Sequence, residues 1–250
     1  QYKLPYVKGQ MPSPIHDSND GFPGYLLIND GSGNLSDRTK AAGLEAKRYR
    51  RSYSASFADL DNDHDLDLIV ISDFSGADLH LNDGLGNFED ATMKLIDNHY
   101  GFGMAHNFGD YDANGKIDLI MIGMNSWTAE RLLSMNLAPP THRHYYDKLD
   151  DLTFGNRLYF GNDKKFEQRP MGDKAANTGW SWGATSFDAD NDGDIDLYIA
   201  NGHKSRKSVK DYERQFWCHD IYHANSNSNP AMEVYFQSIS GRLYGAGYSY

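Results

Sequence analysis

A single cysteine, Cys218, stands in 250 residues, so the chain has no intramolecular disulfide framework to staple it. That suits the cytosol, and equally an exported chain that relies on metal instead of sulfur. Glutamate is nearly as scarce, supplying only six of the 35 acidic residues. Helical surfaces favour Glu, whereas turns and oxygen-rich metal loops favour Asp, Asn and Gly. The composition therefore speaks for many turns and few helices. No apolar run approaches the ~20 residues of a membrane span. No signal peptide is visible at Gln1, although a chain already trimmed of one would look the same. Positive charge is also short: 24 Lys and Arg leave a formal net charge of −11. That balance argues against nucleic acid, because nothing supplies a broad cationic surface for phosphates. The two basic runs, 47–51 and 204–210, read as solvated loops.

What the chain has instead is aspartate in register. "DLDNDHDLD" (59–67), "DYDANGKID" (110–118) and "DADNDGDID" (188–196) repeat one pattern. Position 1 is Asp59, Asp110 or Asp188, and position 3 is Asp61, Asp112 or Asp190. Position 5 is Asp63, Asn114 or Asp192, and position 9 is Asp67, Asp118 or Asp196. A stretch containing Phe57, Phe108 or Phe187 precedes each loop, and an apolar run follows it: 68–71, 119–122 and 197–200. The unit reads as a β-hairpin closed by a loaded turn. A second signature accompanies it. "YLLINDGSGNLSDRT" (25–39) and "DLHLNDGLGNFEDAT" (78–92) share Asn-Asp-Gly between apolar runs, and "RLYFGNDKKFEQRP" (157–170) is a worn copy. Asn-Asp-Gly predicts a second hairpin, with Gly supplying positive φ. Two hairpins make a four-stranded sheet, and a four-stranded unit recurring every ~40–50 residues predicts a propeller blade.

Side-chain oxygens at 1, 3, 5 and 9 of a nine-residue loop can converge on one point. The carbonyl of position 7 (Asp65, Lys116 or Asp194) can add a further ligand. Hard oxygen donors in this number select Ca²⁺. Zn²⁺ would want His or Cys, which none of the shared ligand slots offers. An EF-hand is excluded, since it needs Glu at position 12, where Val70, Met121 and Ile199 stand in apolar runs. As polar turns without a cation, three such loops would repel internally. Three Ca²⁺ would take the net charge from −11 to −5. Asn114 makes the second loop less charged, and His64 fills the slot that Gly115 and Gly193 hold elsewhere, which predicts strain if that slot needs positive φ. "PIHDSNDGFPG" near the start looks like a decayed further copy.

These loops resemble the FG-GAP/VCBS repeats, the blades of integrin α-subunit heads and many secreted bacterial proteins, whose loop is D-x-D-x-D-G-x-x-D. Phe108-Gly109 before Asp110 matches the Phe-Gly of the name. "GWSWGATSFDADNDGDIDLYIANGH" (179–203) looks particularly like the subgroup of cartilage acidic protein and the UnbV-type proteins. The resemblance implies an all-β calcium propeller, extracellular, cell-surface or periplasmic, with adhesive or ligand-binding roles. The expected fold is thus a β-propeller, complete or partial, in one domain or a portion of one, with repeats at about 25–53, 54–105, 106–183 and 184–250. Integrin-type heads have seven blades and only three good repeats are visible here. Further blades or assembly subunits are therefore possible partners beside a protein or glycan ligand.

Two long insertions, 125–155 and 202–232, follow the same strand of their blades and should emerge on one face. Long loops on one face usually build a binding surface. They hold His142 and His144, and Cys218, His219, Asp220 and His223, a faint echo of a zinc motif that lacks an assigned third ligand. Trp127, Tyr145, Tyr146, Tyr212, Phe216, Trp217 and Tyr222 form either a satellite core or an exposed binding surface. The reading is an interaction module, with enzymatic activity left open. The alternatives are a propeller-type polysaccharide lyase and a structural subunit of an exported assembly. The ligand assignment makes a direct prediction: Asp192→Ala or Asp196→Ala lowers the melting temperature far more than Asp194→Ala, whose residue lends only its carbonyl. Equal losses in the three melts would refute the assignment.

Overall fold

The computed structural model describes residues 16–134 and 148–203. Across them run twelve strands, and the helices are short, none longer than the eight residues of Trp127–Ser134. Among the described residues no helix is long and apolar enough to cross a membrane. Two antiparallel sheets of four strands lie at the centre. The first joins β3 (Arg51–Ala58), β4 (Asp67–Asp73), β5 (Gly76–Asn82) and β6 (Phe88–Asp90) in chain order. The second joins β7 (Gly103–Gly109), β8 (Asp118–Gly123), β9 (Arg157–Gly161) and β10 (Phe166–Arg169) in the same way. Before them stands a hairpin of β1 (Leu27–Asn29) and β2 (Leu35–Asp37), and after them one of β11 (Trp180–Phe187) and β12 (Asp196–His203).

By comparison with the two complete sheets, β1–β2 is an Asn-Asp-Gly hairpin and β11–β12 an acidic-loop hairpin. The described residues thus make two full blades flanked by two half blades, in an all-β, propeller-like stack without a closed ring. The alternation of side chains along β4 explains the stacking. Ile69 and Ile71, both fully buried, join Leu79, Leu95, Leu119, Met121, Tyr159 and Phe166 in the core between the two full sheets. Leu68 and the intervening Val70 face the other way, with Ala42, Leu44 and Phe88. A strand buried on both faces must be apolar at consecutive positions, and "LIVI" is.

The Asn-Asp-Gly hairpins repeat atom for atom. Asn29 Oδ1 accepts from Gly33 N and Asn82 Oδ1 from Gly86 N, while Asn34 and Asn87 side chains reach back to Asp30 and Asp83 at 2.7 Å in both. Gly31 and Gly84 hold φ of 83° and 76°. The closing Thr39 and Thr92 each bond Asp two residues earlier at 2.6 Å and accept the amides of Leu26 and Leu79. A further regularity is invisible in composition. The β3, β7 and β11 pairings each shift register across Tyr53, Met104 and Trp182, residues that stand six before the first Asp of their loops. Tyr53 and Trp182 meet edge to face, with centroids 6.3 Å apart.

One basic run departs from its expected role. Arg50 and Arg51 are only 4% exposed, so residues 47–51 are not a solvated loop. Arg50 Nε meets Asp78 Oδ2 at 2.8 Å and its Nη1 meets Asp17 Oδ1 at 2.7 Å. Lys47 Nζ bridges Asp78 and Asp90 at 2.6 and 2.7 Å, and Arg51 forks onto Asp20. Burial opposes the charges on Lys47 and Arg50, but Asp78 and its neighbours outweigh it and hold both above their ordinary pKa. Asp17 and Asp20, from the supposed decayed repeat, are therefore ion-pair partners and no hairpin loop. Asp78→Ala would leave Arg50 buried without its main partner. It should cost about 3–5 kcal/mol in chemical denaturation, whereas a loss under 1 kcal/mol would show the network to be dispensable.

Candidate metal centres

Each acidic loop joins the first two strands of its blade, so the loops sit at one end of the stack. Their geometry is set by two left-handed residues. Position 4 is Asn62, Ala113 or Asn191, with φ between 55° and 64°, and position 6 is His64, Gly115 or Gly193, with φ of 75°, 80° and 96°. Glycine and asparagine enter that region cheaply, so His64 and Ala113 carry the strain in their loops. The doubled reversal turns amide groups inward. Asp110 accepts from the amides of Asn114 and Gly115, and Asp188 accepts from those of Asp192 and Gly193. In the first loop His64 N donates to Asp59 at 3.2 Å.

Positions 1, 3 and 9 converge. Asp59, Asp61 and Asp67 form one cluster, Asp110, Asp112 and Asp118 a second, and Asp188, Asp190 and Asp196 a third. Within each, one oxygen per carboxylate lies within 4.8 Å of the others. Position 5 is committed locally, since Asp63, Asn114 and Asp192 each accept the amide of position 7. The position 7 side chains stand outside the clusters, and Lys116 Nζ pairs with Asp163 at 2.6 Å.

Position 9 is the anchor. Asp67 is 1% exposed and Asp118 is fully buried. Asp67 accepts the amides of Leu60, at the loop's start, and Asn82, at the end of β5, both at 2.8 Å. Asp118 does the same for Tyr111 and Gly161, at 2.7 and 2.8 Å. Each loop is thereby bolted to the following hairpin. These amide donors were not evident from side-chain chemistry, because any non-proline residue can supply them. Asp196 accepts from Ala189 at 2.9 Å.

The electrostatics favour a cation. Desolvation, and then the charge of Asp63, hold the carboxyls of Asp61 and Asp65 above their ordinary range. Desolvation also raises Asp67 and Asp118 against their amide bonds. Asp59 Oδ1 and Asp65 Oδ1 are buried and accept no hydrogen bond. An all-oxygen set with orphaned acceptors fits a hard divalent cation, and it lacks the His and Cys ligands that structural zinc sites favour, for the His64 side chain is 93% exposed. The second cluster is the least negative, with Asn114 at position 5 and Arg169 Nη1 at 3.4 Å from Asp112.

The opposite end carries the insertions. Met124, just after β8, bridges to Trp180 at the start of β11, and Trp180 pairs in turn with His203 at the end of β12. Both insertions therefore leave the sheets beside Trp180. Trp127, in the first of them, is 41% exposed. His142, His144, Tyr145, Tyr146, Tyr212, Phe216, Trp217, Cys218, His219, Asp220, Tyr222 and His223 lie outside the described residues.

Residues 59–121 match a family model described as FG-GAP-like repeat. The match runs from the first acidic loop through the second and into β8, so it contains two of the three carboxylate clusters. No curated protein matches the chain. The likeness to the cartilage acidic protein subgroup rests on 179–203, beyond the matched segment. The anchoring role of position 9 can be tested with chelator present throughout. Asp118→Ala should cost about 2–4 kcal/mol by leaving the buried Gly161 amide and the half-buried Tyr111 amide unpaired, while Lys116→Ala should cost under about 1 kcal/mol as a surface ion pair. Similar losses for the two would remove position 9 from its special place.

Proposed function

We propose that this chain is a calcium-holding, propeller-type interaction module that works outside the cell or in the periplasm and presents the face opposite its acidic loops to a protein or glycan. The observation that carries the reading is the threefold convergence of carboxylates at positions 1, 3 and 9, at one end of successive hairpins. The FG-GAP-like repeat at 59–121 supports it, since such repeats serve as interaction modules.

A bound Ca²⁺ would neutralise the converging carboxylates and tie the two strands of each hairpin together. Asp59, Asp61 and Asp67 would hold it in the first blade, with the equivalent residues in the other two. Asp63, Asn114 and Asp192 would brace the loop through the position 7 amide, keeping that carbonyl in place. The cation's role is architectural, for nothing in the clusters is arranged as an acid, a base or a nucleophile. Loops of this kind fill at millimolar calcium and stay empty at sub-micromolar levels, which favours an extracellular setting. Recognition then falls to the insertions, whose exits are adjacent at Trp180. A lyase-like reading would require a Tyr, His, Arg and Lys cluster between the insertions, where 135–147 and 204–232 lie outside the described residues.

A thermal melt in EDTA against millimolar Ca²⁺, with bound metal counted by elemental analysis, tests the proposal. Linkage of each site through RT ln(1 + [L]/Kd) predicts stabilisation by several degrees or more, with about three Ca²⁺ and no Zn²⁺ per chain. An unchanged melt without bound calcium would reduce the loops to polar turns.

A further inference from the structure

We propose that the cleft between the β1–β2 hairpin and the first full sheet binds a small, uncharged, largely apolar molecule, with His80 as its hydrogen-bonding partner. The two faces of that sheet are packed differently. Its face toward the second full sheet joins a core of twelve buried residues, whereas its face toward the hairpin joins one of four. Beside the smaller core lies a cavity of about 430 Å³, within the roughly 300–1,000 Å³ of small-molecule sites. Leu26 and Leu44 wall it on the hairpin side, and Phe57, Leu68 and Val70 on the sheet side. Ser52 and Ala55 of β3 also line it, and side chains so short leave the space above them open. All of its lining residues are among those described, and none belongs to an acidic loop or an insertion. The site therefore goes beyond the proposed function and does not depend on it.

The charges at the wall say what the occupant lacks. Three cations border the cavity, and each is engaged. Lys47 lies between Asp78 and Asp90, Arg50 holds Asp78 and Asp17, and Arg48 meets Glu45 at 3.0 Å and Asp37 at 3.7 Å. Asp78, the one carboxylate in the wall, is taken up by the first two. An ionised ligand would enter without a counter-charge, at a cost that an uncharged one avoids. The same ion pairs brace the hairpin against the sheet, so the walls stand in place before a ligand arrives.

His80 is the exception among the polar groups. It stands opposite Leu68 across the β4–β5 ladder, lines the cavity and is 5% exposed. Among the described residues no group hydrogen-bonds its ring. Burial outweighs the charges of Asp78 and Asp90 and holds it below its ordinary pKa, so at pH 7 the imidazole is neutral. It then offers one donor and one acceptor. A single uncommitted polar group in an apolar wall fixes the orientation of a ligand. The entrance is aromatic: Tyr25 lines the cavity, is 60% exposed and lies under the Arg48 guanidinium at 5.0 Å. A second cavity of about 460 Å³ shares Gly24, Tyr25, Arg50 and Ser52 with the first and reaches Phe22. The cleft is thus long, which suits a flat or extended molecule.

Two dyes test this on the full chain. N-phenylnaphthylamine is neutral and apolar with one N–H, and anilinonaphthalene sulfonate is the same frame bearing an anion. The expected result is saturable fluorescence from one neutral dye per chain, with the sulfonate weaker by about tenfold or more. His80→Phe keeps the bulk of the ring and removes its nitrogens, and should weaken the neutral dye by about three- to tenfold. Ala55→Trp fills the cavity and should abolish saturable binding while the thermal melt stays cooperative. Ala55→Phe repeats the measurement if the Trp variant does not fold. Unsaturable fluorescence, equal affinity for the two dyes, or unchanged binding in His80→Phe or in a folded Ala55 variant would overturn the proposal.

Discussion

A buried carboxylate with two amide donors organises each full blade. Asp67 and Asp118 lie at the first residue of a central strand, where they close the acidic loop on one side and hold the end of the third strand on the other. The loop and the Asn-Asp-Gly hairpin, which look like separate motifs in the sequence, are thus one hydrogen-bonded unit. Two backbone amides depend on each of these carboxylates, one buried and one partly buried. Asp61 and Asp112 gather around an oxygen whose place is already fixed.

The same constraint explains why charge accumulates where it does. Carboxylates brought together at a loop are costly alone, and several strong cations among the described residues are engaged elsewhere. Arg50, Arg51 and Lys47 are consumed by Asp17, Asp20, Asp78 and Asp90 between the first hairpin and the first full sheet. There the ion pairs fix the approach of one blade to the next, and apolar packing fixes the other interface through Ile69, Ile71, Leu119 and Met121. Successive blades are held by different means. Arg169, near Asp112, is a guanidinium that does approach a cluster, and it approaches the one whose fifth residue is already neutral.

What was legible in the sequence was whatever has a fixed local spacing. Nine-residue loops, Asn-Asp-Gly turns and the apolar runs after them gave the strands, the hairpins and the pairing of hairpins into sheets, because each is settled within about fifteen residues. His64 could be singled out because its slot holds Gly in both other copies, and its φ of 75° shows why. Long-range partners were not legible. Residues 47–51 look like a solvated basic run, since nothing local reveals Asp78 thirty residues away. The anchoring amides of Asn82 and Gly161 have no side-chain signature at all. The register shifts at Tyr53, Met104 and Trp182 escaped for a related reason: three dissimilar side chains occupy one backbone role.

The placement of loops and insertions at opposite ends of the strands has a physical consequence for how such a module can vary. The acidic end is tightly specified, with two left-handed residues, three converging carboxylates and an anchor that forbids change in length. The other end accepts connections of different lengths. A two-residue turn, Phe74–Ser75, joins β4 to β5, while more than thirty residues join β8 to β9, and both sheets keep the same pairing. Loop closure grows only slowly more costly with length, by about 0.6 kcal/mol per doubling. Long segments can therefore be accepted at that end at small thermodynamic cost, provided the strands are clamped from the far side. The carboxylate-anchored loops provide that clamp, and stability is thereby separated from the surface left free to recognise a partner.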